Sequence, residues 1–112
     1  MGIERLFITM KEKSALMEIQ KRLIADFGVE KLVAFGSGVK SEPAEGGVPD
    51  LLALTTTPVS ARDKQSMLDL VAKVNLDYKT NFMMLVFDKA TWEIWAGQNL
   101  YQEIKKEGIQ IW

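Results

Sequence analysis

The chain has 112 residues, a net charge of −1, and neither cysteine nor histidine. Those absences exclude disulfides, thiolate and imidazole metal sites, and the usual general base near neutral pH. A near-zero charge supplies no field toward nucleic acid or an anionic membrane, and every apolar run is far shorter than the roughly 20 residues that span a bilayer.

In chain order, Met1–Leu6 lacks an apolar signal core, so the expected location is cytoplasmic. Thr9-Met10-Lys11-Glu12 has capping-box form and opens a helix in which Leu16, Ile19, Leu23 and Phe27 form one stripe, with Gly28 suited to its left-handed end. Lys31–Phe35 reads as a buried strand broken by Gly36-Ser37-Gly38. Val39 to Pro49 is rich in Gly, Pro, Ser and Glu and reads as an irregular loop. Asp50–Thr56 is a second strand, stopped by Pro58. Ser60 with Asp63 caps a second helix carrying Met67, Val71, Val74 and Tyr78 on one stripe.

Asn81–Phe87 is apolar nearly throughout and predicts a third strand with both faces covered. A last helix spans roughly Gln98 to Lys106, with Leu100 and Ile104 inward, and Ile109, Ile111 and Trp112 form a short extended tail. Trp92, Trp95, Tyr101 and Trp112 are expected in or over the core rather than in a partner-binding patch. Met10, Met17, Met67, Met83 and Met84 are expected to fill gaps between helices and sheet. The fold class is α/β (α+β): one domain over residues 1–112, with helices packed on a small mixed sheet in the order α-β-β-α-β-α. Its ligand site is expected where loops and glycines collect at the strand ends, from Gly36 to Asp50.

The stretch Phe35-Gly36-Ser37-Gly38-Val39-Lys40-Ser41, followed by Val48-Pro49-Asp50-Leu51-Leu52-Ala53-Leu54, resembles the minimal, DNA polymerase beta-like nucleotidyltransferases. In that family Gly-Ser follows an apolar strand and an Asp-x-Asp pair opens the next one. The likeness continues through Asn75-Leu76-Asp77-Tyr78, Val86-Phe87-Asp88-Lys89 with Trp92-Glu93, and Ile104-Lys105-Lys106-Glu107-Gly108-Ile109, so it covers almost the whole chain. It implies a site in which Gly36, Ser37 and Lys40 face a nucleotide phosphate. Asp50 would be the catalytic carboxylate and a ligand to Mg²⁺ ions that bridge a nucleoside triphosphate and an acceptor oxygen. It also permits pairing with a helical partner protein.

The chain departs from the family pattern where the chemistry is most demanding. Residues i and i+2 of a strand share a face, so an Asp-x-Asp pair can hold two cations together. Here Asp50 is the only acid of the pair, because Val48 or Leu52 occupies the other position, depending on register. The family's third acid falls at Met83 or Met84, and a thioether is a poor ligand for a hard cation. The loop arginine falls at Gly38 and the second loop glycine at Ser41. Lys40 is left as the loop's cation beside Glu42 and Glu45.

Read without the resemblance, Gly36-Ser37-Gly38 is a tight turn, Asp50 opens a strand after Pro49, and Lys40 is a solvated surface cation. Three functions stand open at this point. The first is a catalytically degenerate nucleotidyltransferase-like domain that binds or regulates. The second is a working transferase that recruits Glu42, Glu45 or Asp88 as extra ligands. The third is a structural module that forms homo-oligomers through exposed apolar residues.

Overall fold

The structure is a computed structural model that describes residues 2–36, 39 and 48–112. After a 3₁₀ turn at Ile3–Arg5, the first helix, α1, runs Met10–Phe27. Its capping box is reciprocal: Thr9 Oγ1 accepts from the Glu12 amide at 3.1 Å, and Glu12 Oε1 accepts from the Thr9 amide at 2.8 Å. It ends at Gly28, whose φ of 59° is left-handed. Strands β1 (Lys31–Phe35) and β2 (Asp50–Thr55) follow. Helix α2 is Ala61–Tyr78, and Ser60 Oγ accepts from the Asp63 amide at 3.0 Å at its start.

Helix α2 closes on Lys79, which takes the left-handed conformation without being glycine, at φ 57°. The chain is held through this turn by one side chain. Asn75 Oδ1 accepts from the Thr80 hydroxyl and the Phe82 amide, each at 2.9 Å, while its Nδ2 donates to the Phe82 carbonyl at 2.8 Å. Fixing Thr80–Phe82 in this way delays the third strand, β3, to Met84–Asp88 rather than Asn81–Phe87.

Two short helices come next, α3 at Lys89–Ile94 and α4 at Asn99–Glu107, and then the strand β4 at Ile109–Gln110. Helix α3 is too short to declare itself by periodicity. Its signal is the cap, in which Asp88 accepts from the Thr91 amide at 3.0 Å and the Thr91 hydroxyl at 2.6 Å. The extended tail is a pairing strand.

The sheet is mixed, in the order β3-β2-β1-β4. β1 is antiparallel to both β2 and β4, and β2 is parallel to β3. Strand alternation sends residues to opposite faces. Leu32, Ala34, Leu51, Ala53, Met84, Val86 and Ile109 join Leu16, Ile19, Leu23, Met67, Val71 and Val74 in the core under α1 and α2. Phe35, Leu52 and Leu54 form a second cluster with Trp92, Tyr101 and Ile104 from α3 and α4.

Gly108 lets α4 meet the sheet closely. A Cβ there would lie 2.5 Å from the Ile104 carbonyl oxygen and 2.8 Å from Val33 Cγ1.

Three expectations need correcting. β3 is not covered on both faces: Met83, at its start, is 69% exposed and Leu85 37%, because β3 is an edge strand and only short helices lie over that face. Met67 and Met84 are buried as gap fillers, but Met10, Met17 and Met83 are exposed. Trp92 and Tyr101 are core residues, whereas Trp95 and Trp112 remain partly in solvent. No helix among the described residues is long and apolar enough to cross a membrane.

Candidate functional site

The antiparallel register sets Phe35 opposite Asp50, so the turn leaving β1 stands beside the residue that opens β2. Gly36 adopts φ 83°, a conformation that L side chains rarely take, and a methyl group there would sit 3.8 Å from Asp50 Oδ2. The register thus brings Gly36 and Asp50 together. Ser37, Gly38, Lys40, Ser41, Glu42 and Glu45 lie outside the described residues.

Asp50 shares its strand face with Leu52 and Leu54, the face turned toward α3 and α4. It opens onto a pocket of about 240 Å³ walled by Phe35, Leu51, Met83, Met84, Leu85 and Leu100. The parallel pairing of Leu51 with Met84 places the two methionines there. Val48 packs instead against the core under α1 and α2, and Leu52 is buried in the second cluster. Neither position flanking Asp50 at a spacing of two can donate an oxygen.

Partial burial among these apolar groups pushes the Asp50 carboxyl above its ordinary value.

Asp88, the reserve acid, is elsewhere. Its strand partner is Thr55, five residues along β2 from Asp50. At about 3.3 Å per residue that is roughly 16 Å away. The Thr91 hydroxyl and amide hold its carboxyl below the usual range, so it serves the α3 cap. Among the described residues no three Asp, Glu, His or Cys side chains gather as a metal site. A pair of Mg²⁺ ions needs several oxygen ligands and an ion spacing of about 3.5–4 Å. The described residues around Asp50 do not fit that group.

Sequence reasoning overlooked how far Phe35, Leu85 and Leu100 would shape this pocket. The signal was available in the alternation of β3, whose odd-numbered residues share the face of Asp50. Comparison with protein-family models, with curated proteins and with solved structures finds no match.

Proposed function

We propose that this chain is a nucleotidyltransferase-like domain that binds or regulates and does not transfer nucleotides. The single observation that carries the reading is the composition of the pocket beside Asp50. One carboxylate faces a glycine turn, and every other described wall is carbon or thioether. Motif resemblance supplies the ancestry, while the pocket chemistry argues against two-metal catalysis. Losing cation ligands removes the charge stabilisation on which phosphoryl chemistry chiefly depends. A nucleotide held here would place its phosphates at Gly36, with its base or sugar against Met83, Leu85 and Leu100.

Titration calorimetry with ATP, with and without Mg²⁺, tests this together with a labelled-nucleotide transfer assay. The expected result is weak binding indifferent to Mg²⁺ and no transferred label. Metal-dependent binding with transfer abolished by Asp50→Ala would establish the catalytic reading instead. The exposed Met83 and Leu85 on an edge strand favour a second reading, a module that associates through β3. Sedimentation in dilute solution separates it, because that reading requires a stable oligomer and no nucleotide binding.

A further inference from the structure

A second cavity opens on the same sheet face, and it shares no described lining residue with the pocket at Asp50. It measures about 250 Å³ and lies between the sheet and the helices α3 and α4. The floor is Val33, Leu52 and Leu54, and one wall is Ile104. The other wall is aromatic: Trp92 and Tyr101, both buried, have ring centroids 5.1 Å apart.

The Tyr101 hydroxyl is already committed, donating to Glu93 Oε2 at 2.7 Å. The Tyr101 ring therefore offers an occupant its carbon face.

The rim differs sharply from the floor. Lys31, Lys89 and Lys105 all line the mouth, with Glu93 as the one acid among the lining residues. Glu30 adds a second carboxylate just outside, bridging Lys89 at 2.9 Å. Three ammonium groups against two carboxylates leave this mouth locally positive on a chain whose net charge is −1. Lys105 also stands 5.6 Å from the centre of the Tyr101 ring, so its charge sits directly over the aromatic wall.

We infer that this cleft is a binding site for a small organic monoanion, a carboxylate carried on a flat apolar body. The floor and rings would take the body, and Lys105 and Lys31 the charge. An excess of a single positive charge matches a monoanion better than a phosphate dianion. The volume lies just under the roughly 300–1,000 Å³ of sites for drug-sized ligands, which limits the body to one or two rings. This site is independent of nucleotide binding at Asp50.

The test is an NMR titration of the ¹⁵N-labelled chain with phenylacetate and indole-3-acetate, beside their uncharged amides at the same millimolar concentrations. Saturable shifts are expected on Val33, Leu54, Ile104 and Gln110, with the carboxylates binding several-fold more tightly than the amides. Lys105→Glu, a substitution at an exposed position, should weaken carboxylate binding up to roughly tenfold and leave amide binding unchanged. Lys31→Glu is the parallel variant if the first perturbs the spectrum of the free protein. The inference is overturned by an absence of shifts, by shifts centred on Gly36, Asp50 and Leu85, or by equal binding of acid and amide.

Discussion

On β3, Met84 and Val86 face two helices of 18 residues each and are buried. Met83 and Leu85 face the other way, toward helices of six and nine residues, and remain partly in solvent. The same strand thus meets a continuous lid on one side and a partial one on the other. Long helices seal a four-stranded sheet, and short ones leave gaps at their ends. Both cavities described above are such gaps. The face under the long helices holds the larger of the two buried clusters, and the two cavities described above open on the other.

Substitution of matched leucines on the two faces gives the largest expected contrast. Leu51 is fully buried beneath the long helices, so Leu51→Ala should cost about 3 kcal/mol through lost transfer energy and a cavity. Leu85→Ala, on the partly open face, should cost less than about 1 kcal/mol. Urea unfolding of both variants checks the difference. Comparable losses would mean that the second face is as tightly built as the first.

Gly108→Ala sharpens the comparison by loosening the second face alone. The added methyl meets the Ile104 carbonyl oxygen and Val33, both of them in the α4–sheet contact. Overpacking of this kind costs about 1–3 kcal/mol. The accompanying shifts in an NMR spectrum should cluster on β1 and α4, with α1 and α2 undisturbed. Spread of the shifts into α1 would show that the two layers respond as one.

A smaller effect of opposite sign is expected on the helical face. Lys79 pays about 1 kcal/mol or more for its left-handed backbone, and glycine would escape most of that while adding unfolded-state entropy. Lys79→Gly should therefore raise stability by less than about 1 kcal/mol in thermal unfolding. A loss would show that the lysine side chain is making a contact worth more than the strain.

The helical face was also the more legible one in the sequence. Thr9 with Glu12, Gly28, and Ser60 with Asp63 announce helix ends through local chemistry. The stripes Leu16-Ile19-Leu23 and Met67-Val71-Val74 announce what those helices cover. Nothing comparable marks α3, whose six residues make fewer than two turns and whose only local sign is a cap. β3 misled for a related reason: a run of apolar residues looks the same whether or not a helix lies over each face, and the length of the covering helix is written elsewhere in the chain. At the site, the nearness of Gly36 to Asp50 follows from the strand–turn–strand pattern. Of the apolar walls, the alternation of β3 pointed to Leu85, but Leu100 arrives from α4, which nothing near Asp50 announces. The three lysines of the second cleft, at positions 31, 89 and 105, are likewise invisible as a group along the chain.

The smallest expected effect sets the two ends of the sheet against each other through pH. Asp50, at one end, has its carboxyl raised by partial burial, so the folded state holds the proton more tightly than the unfolded chain, where Asp titrates near 3.9. The ionised form is then a burden on the fold at neutral pH, and that burden lifts as pH falls through the raised native value. Asp50→Asn should accordingly stabilise the protein modestly at pH 7, with the gain fading at pH 3. Asp88, at the other end, has its carboxyl lowered by the Thr91 hydroxyl and amide, so its contribution is present above the unfolded value and lost as pH falls through the lowered native one. Asp88→Asn should lose stability at pH 7 and little at low pH, a slope of the opposite sign. Denaturant midpoints for both variants between pH 3 and 7 decide the matter. If Asp50→Asn instead destabilised the protein at pH 7, its carboxylate would have to be gaining a cation or donor in the folded state, and the apolar account of that pocket would fail with it.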